Sequence, residues 1–314
     1  MNLDSNAIIT LCSHICVGDG VYPLEPKEYS ELAKKLGNTG KSPKDLFEFT
    51  SQDYEEILGI SQTETERIRR LLDRTASLSF EMEQYRNMGI HIVTRADSEY
   101  PRKLKKKLGN ACPPIFYYAG DLSLLDRKYI GYVGARTVSV EDIEFTKNAV
   151  RKTTSLEYGV VSGGAKGIDT VSGTEALLNG SFVIEYLSDS LMKKLRSSDT
   201  IRAVQNGNLL MMSVSKPDTG FNVGFAMMRN RYIYAQAEAT VIVRSDLNKG
   251  GTWSGATENL KNNWCPTLCW EYGYPGNKSL IEKGAFPISA DWDGIIPVVP
   301  HPMEKYEQTS FFDL

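Results

Sequence analysis

From Lys128 onward, apolar runs of strand length alternate with stretches of helix length, and this change of period constrains the fold more than any other feature of the chain. Tyr129 to Val133, Gly159 to Val161, Phe182 to Leu187, Leu209 to Ser213, Thr240 to Val243 and Thr267 to Trp270 read as strands. Val140 to Leu156, Ile168 to Leu178, Ser190 to Val204, Val223 to Tyr234 and Gly255 to Asn262 read as the helices between them. A strand followed by a helical crossover pairs with its successor in parallel, and buried parallel strands are continuous apolar runs of this kind. The pattern predicts an α/β chain with a doubly wound, mainly parallel, extended Rossmann-like sheet. In such sheets ligands bind beyond the carboxyl ends of the strands, so function is expected in the loops that follow them.

Ahead of this region the pattern is helical. Pro26 to Leu36, Pro43 to Phe49, Ser51 to Gly59 and Thr63 to Ser77 read as helices, and the Leu58-Gly59-Ile60 turn resembles those of helix-hairpin-helix or sterile-alpha-motif-like modules. Such a turn can hold a DNA phosphate on backbone amides, or it can be a packing element with no ligand. Gly89 to Thr94 reads as a strand, followed by the basic run Tyr100 to Lys107, whose ordinary role is a solvated helix face. The expected organisation is a small N-terminal helical domain over 1–85, a connecting segment over 86–127, a Rossmann-like domain over 128–290 and a tail over 291–314.

A chain of 314 residues with 41% hydrophobic content can bury a sizeable core, which excludes a charge-rich disordered protein. It contains no apolar run of the roughly 20 residues that cross a bilayer, and its first ten residues carry no Lys or Arg, so a cytoplasmic protein is expected. Five cysteines are an odd number and fit reduced thiols. Cys12/Cys16 and Cys265/Cys269 are paired in spacing, but Cys265-Pro-Thr-Leu-Cys269 lies in a strand-like run; buried thiols are expected there, and no metal. The net charge of -3 argues against coating nucleic acid by bulk charge while leaving room for a local basic site.

The strand-end loops carry the informative residues. After the first strand stands Gly134-Ala-Arg136-Thr137, and after the second Ser162-Gly163-Gly164-Ala165-Lys166-Gly167-Ile168-Asp169. Gly220-Phe221-Asn222 precedes a helix containing Arg229-Asn230-Arg231, and Arg244 to Gly250-Gly251-Thr252-Trp253 follows the fifth strand. Glycines let backbone amides approach an anion, and helix N-termini present unsatisfied N–H groups to it. With Arg136, Lys166, Arg229 and Arg231 added, the loops predict an anion site several groups wide. A Walker-A loop is excluded because Ile168 follows Gly167 where Lys would stand. A dinucleotide fingerprint is incomplete, since Ser162 occupies its first glycine position, although Glu185 ends the next strand where a ribose-binding acid would sit. Asp169 is expected to brace the Lys166 loop by accepting backbone N–H bonds, and only one of Arg229 and Arg231 is expected to reach the pocket. Among Phe221, Phe225 and Trp253, Trp253 is the aromatic expected to be exposed.

Taken in order, Gly131-Tyr-Val-Gly-Ala-Arg136, Val160-Val-Ser-Gly-Gly-Ala-Lys-Gly-Ile-Asp169, Met228-Arg-Asn-Arg231, Gly250-Gly-Thr-Trp-Ser-Gly-Ala-Thr257 and Pro275-Gly-Asn-Lys-Ser-Leu-Ile-Glu-Lys-Gly-Ala285 resemble the motifs of the DNA-processing protein A (DprA/Smf) family. Tyr100-Pro101 and Pro113-Pro-Ile-Phe-Tyr-Tyr-Ala-Gly120 extend the resemblance upstream. It implies an extended Rossmann domain that binds single-stranded DNA, loads a RecA-type recombinase and commonly forms a homodimer. It also implies phosphate contacts by Gly134, Arg136, Ser162, Gly163, Lys166 and Gly167, joined by Arg229, Asn230 and Arg231; Gly164, Gly251 and Thr252 complete the expected site. The chain departs from the family at Thr170-Val-Ser-Gly173, where Ala-His is usual, and at Tyr186-Leu-Ser-Asp-Ser190, where a Gly-rich turn is usual. With 29 residues after Ala285, the winged-helix domain of many members is not expected here.

Neither a catalytic residue nor a cofactor is expected. Asp169 and Glu258 are the carboxylates expected nearest the pocket and lie on different loops, which is too few for a two-metal site or a paired acid and base. The alternative is a sensor or hydrolase of a nucleotide-derived small molecule using the same pocket. The tail Gln308 to Leu314, a Gln followed by Phe311-Phe312, resembles peptides that dock on a sliding clamp.

Overall fold

The computed structural model describes residues 2–18 and 20–297. One nine-stranded sheet organises the chain, in the order β1-β2-β6-β5-β4-β3-β7-β8-β9. The strands are β1 His91–Thr94, β2 Ile115–Ala119, β3 Tyr129–Val133, β4 Gly159–Ser162, β5 Val183–Tyr186, β6 Leu209–Ser213, β7 Ala239–Ile242, β8 Thr267–Trp270 and β9 Phe286–Ile288. From β6 through β9 all pairings are parallel, while β2 runs antiparallel to both β1 and β6. The chain winds outward from β3 through β4, β5 and β6, then returns to β7 on the other side of β3. The strand order therefore reverses between β3 and β7, and the loops after these two strands part there to leave a crevice.

Two apolar clusters cover the two faces. Alternate residues of β2 divide between them, Ile115, Tyr117 and Ala119 into one and Phe116 into the other, as the two-residue period of a strand requires. The first cluster also takes in Ile8, Leu11, Leu32, Tyr54, Leu71 and Leu78 from the N-terminal helices, which reach the sheet at β1 and β2. Each large side chain buried in this way contributes about 1.5–3 kcal/mol. Leu58 and Ile60, flanking the turn at Gly59, are part of this core.

Several boundaries differ from expectation. Ser190 to Val204 is two helices, Leu191–Lys194 and Ser198–Gln205, because Ser197 caps the second by accepting from the Thr200 N–H. The stretch expected at Thr63 to Ser77 is likewise Gln62–Leu72 followed by Thr75–Asn87. At the break, Arg74 donates to the carbonyl oxygens of Thr10, Ser13 and Ile15, tying the end of helix Leu3–Cys12 to the bundle. β2 and β9 were not expected as strands, and the helix expected from Gly255 begins at Gly250. Among the described residues no helix is long and apolar enough to cross a membrane. No group of three or more His, Cys, Asp or Glu side chains there could hold a metal ion. Cys12, Cys112, Cys265 and Cys269 are buried, and burial pushes the Cys265 thiol up to about 11 and that of Cys269 up to about 12.

Candidate nucleic-acid interface

A cleft of about 480 Å³ lies at the β3/β7 switch point, within the size range of ligand sites. Its walls are the Gly134–Thr137 loop after β3, the Ala165–Asp169 segment after β4, the start of helix Val223–Gln236 and the Arg244–Thr252 loop after β7. Five cations line it, Arg136, Lys166, Arg229, Arg244 and Lys249, against two carboxylates, Asp169 and Asp246.

The floor is built by backbone contact. Gly167 has φ +84°, and a Cβ there would lie 2.2 Å from the Ala135 carbonyl oxygen, so only glycine lets the β3 and β4 loops touch. The Ile168 N–H donates to that same oxygen at 3.3 Å. Asp169 Oδ2 accepts from the Gly163 and Ala165 N–H groups at 3.1 and 3.3 Å and fixes the loop from inside. Across the cleft, Thr252 Oγ1 donates to the Gly134 carbonyl (3.1 Å) and Asn230 Nδ2 to the Gly251 carbonyl (3.0 Å). Thr252 and Asn230 thereby hold the N-terminus of helix Gly250–Asn262 at the cleft wall.

The cations divide into two sets. Arg229 is buried and its Nη1 lies 3.6 Å from Asp169 Oδ2, with the guanidinium filling the space above Gly163. Burial pushes the Asp169 carboxyl above the ordinary carboxylate range, and Arg229 and the two backbone N–H groups oppose that rise. Arg244 lies 3.4 Å from the fully buried Asp142. These two cations are already neutralised. Arg136, Lys166 and Lys249 are exposed, and among the described residues none has a carboxylate partner; Arg136 lies 4.8 Å from the Phe221 ring centroid.

Of the expected site residues, Gly134, Arg136, Lys166, Asp169, Arg229, Asn230, Gly251 and Thr252 line the cleft. Ser162, Gly163, Gly164 and Gly167 stand behind its lining and shape the loop, and Ser162 is wholly buried. Arg231 does not line it. Its Nε donates to Glu258 at 2.8 Å, because residues two apart on a helix point to different sides. Arg229 is the one that lines it, but as a buried partner of Asp169 and not as an open cation. Glu185 does not line the cleft either; it lies 3.5 Å from Lys194 Nζ, which leaves the small-nucleotide alternative without its ribose-binding acid. Trp253, expected to be exposed, is half-buried and packs on the second cluster, since the early start of its helix places it in the first turn. Phe221 is the exposed aromatic at the cleft. Arg244 and Lys249 were within a loop singled out from the sequence but were not chosen from it.

A doubly wound α/β fold with an open cationic cleft at its switch point places the chain in the Rossmann-like class. The chain belongs to the DNA recombination-mediator protein A family, whose sequence profile matches residues 91–297. In fold it is similar to the DNA processing protein A of Streptococcus pneumoniae (TM-score 0.63, 21% identity, 84% of this chain and 95% of that one). It is also similar to the DNA processing protein A of Helicobacter pylori, whose structure is described for its single-stranded DNA binding mode (TM-score 0.51, 24% identity, 62% of this chain and 90% of that one). None of the curated proteins compared with the chain matches it.

Proposed function

We propose that this protein holds single-stranded DNA by its phosphates in the β3/β7 cleft and passes the strand to a RecA-type recombinase, as a cytoplasmic homodimer and without turnover. The observation that carries the reading is the set of three exposed cations, Arg136, Lys166 and Lys249, that border one cleft without a carboxylate partner among the described residues. A polyanion is the ligand such a rim suits, because each unpaired cation can take one phosphate and release its counterions. Family membership supports DNA as that polyanion, and the single-stranded DNA binding of the Helicobacter pylori relative supports a single strand. The concave shape agrees, since a flexible strand can follow a cleft that a rigid duplex spans.

Competition against a labelled single strand, monitored by fluorescence anisotropy, tests the reading. Unlabelled single strand should displace it far better than duplex or free mononucleotides do. Displacement by mononucleotides at equal concentration would instead favour a small-molecule site. Recombinase filaments should nucleate faster on single strands when the protein is present; an unchanged rate would remove the loading step from the proposal.

A further inference from the structure

Beside the cleft, three rings form a nearly parallel stack that climbs from the core to the surface. Phe145 and Trp270 lie 4.2 Å apart at 8°, and Trp270 and Tyr272 lie 4.3 Å apart at 13°. Phe145 and Trp270 are 5% and 4% exposed, whereas Tyr272 is 43% exposed, so the stack ends in an open ring. We propose that the open face of Tyr272 is a platform for one nucleobase of the single strand whose phosphates occupy the cleft; the inference rests on the functional reading above and adds a base subsite to it.

Position supports this occupant over others. Tyr272 lies two residues beyond β8, as Arg244 lies two beyond β7, and these strands pair in parallel with Ile242 opposite Cys269, so Tyr272 and Arg244 leave the same end of neighbouring strands. Arg244 lines the cleft, and its guanidinium lies 4.9 Å over the ring of Tyr274. Tyr274 in turn lies 5.3 Å from Tyr272 at 60°, and its hydroxyl donates to Asp142 Oδ1 at 2.8 Å. Asp142 therefore anchors both the cation and the neighbouring ring, and a continuous chain of contacts runs from the cleft to the platform. Unpaired cations on the cleft rim for the backbone, and a free π-face joined to that cleft through Arg244 and Tyr274 for the base, are the pairing used to bind single strands without reading sequence. Bases of a duplex are already stacked and cannot use it.

The test compares wild type, Tyr272→Ala and Tyr272→Phe in binding to an ordinary single strand and to an abasic strand of the same length, each across a salt series, with Lys166→Ala as the cleft control. Loss of one base stack should weaken Tyr272→Ala roughly 5- to 140-fold on the ordinary strand. Its salt slope should stay at the wild-type value, because no phosphate contact is removed. Tyr272→Phe should bind like wild type, and on the abasic strand all three should bind alike. Undiminished binding by Tyr272→Ala, or a loss that persists on the abasic strand, would overturn the platform. If Lys166→Ala is weakened in that case, the cleft reading survives alone; if Lys166→Ala also binds fully, both fall.

Discussion

Replacing Gly163 by alanine should unseat Arg229. The new methyl would fall 1.5 Å from Arg229 Nη1 and 1.8 Å from its Cζ, so the guanidinium must leave its place beside Asp169. Overpacking alone costs about 1–3 kcal/mol. Here the displaced group is the charged partner of a buried carboxylate, and breaking such a pair costs about 3–5 kcal/mol, so the larger range applies. The loss is a large share of the roughly 5–15 kcal/mol that holds a domain folded. Urea unfolding of wild type, Gly163→Ala, Arg229→Ala and the double variant, compared at a common slope, separates the terms. Because Arg229→Ala empties the space above residue 163, the second substitution should then cost little. The double variant should resemble Arg229→Ala, with a coupling energy nearly as large as the Gly163→Ala effect. Additive costs, or a Gly163→Ala loss below about 1 kcal/mol, would refute the view that Arg229 holds this loop from inside.

Arg231→Ala should leave single-strand affinity and its salt slope unchanged in an anisotropy titration, since Glu258 already pairs that cation. Hydrogen bonds from Arg67 hold the Glu28 carboxyl below its ordinary value of 4.5, so the folded state binds that proton less readily than the unfolded chain does. The pair therefore contributes stability above the ordinary value and loses it as pH falls through the lowered one. Glu28→Gln should accordingly be less stable than wild type at neutral pH, with the gap closing on acidification in a melting series. Deleting Gln308 to Leu314, which lies outside the described residues, should abolish pull-down by a sliding clamp and spare DNA binding; intact clamp binding would dismiss the motif.

The parallel sheet was legible because buried strands must be continuous apolar runs and crossover helices must separate them. The loops after β3, β4 and β7 were legible because a backbone that approaches an anion or another backbone needs glycine, as at Gly167. What stayed hidden depended on partners distant in sequence. Nothing local to Arg229 shows that Asp169 will neutralise it, nor that Glu258 will take Arg231. Lys249 was passed over beside Gly250-Gly251, although its loop was singled out, because a lone lysine carries no pattern. Trp253 was misjudged for want of five residues of helix: without Gly250 as the start, its place in the first turn, packed on the second cluster, could not be read. The Phe145–Trp270–Tyr272 stack joins a helix to a strand end far along the chain, and only the folded sheet brings them together.

Single-strand affinity measured across a salt series for wild type, Lys166→Ala, and the triple variant Arg136→Ala, Lys166→Ala, Lys249→Ala tests the central claim most directly. Each phosphate neutralised on a single strand contributes about 0.7 to the slope of log affinity against log salt. Three contacts predict a wild-type slope of roughly two, a fall of about 0.7 for Lys166→Ala on every sequence tried, and almost no salt dependence for the triple variant. A triple variant that keeps both the affinity and the slope of wild type would place the DNA elsewhere on the protein and contradict the account.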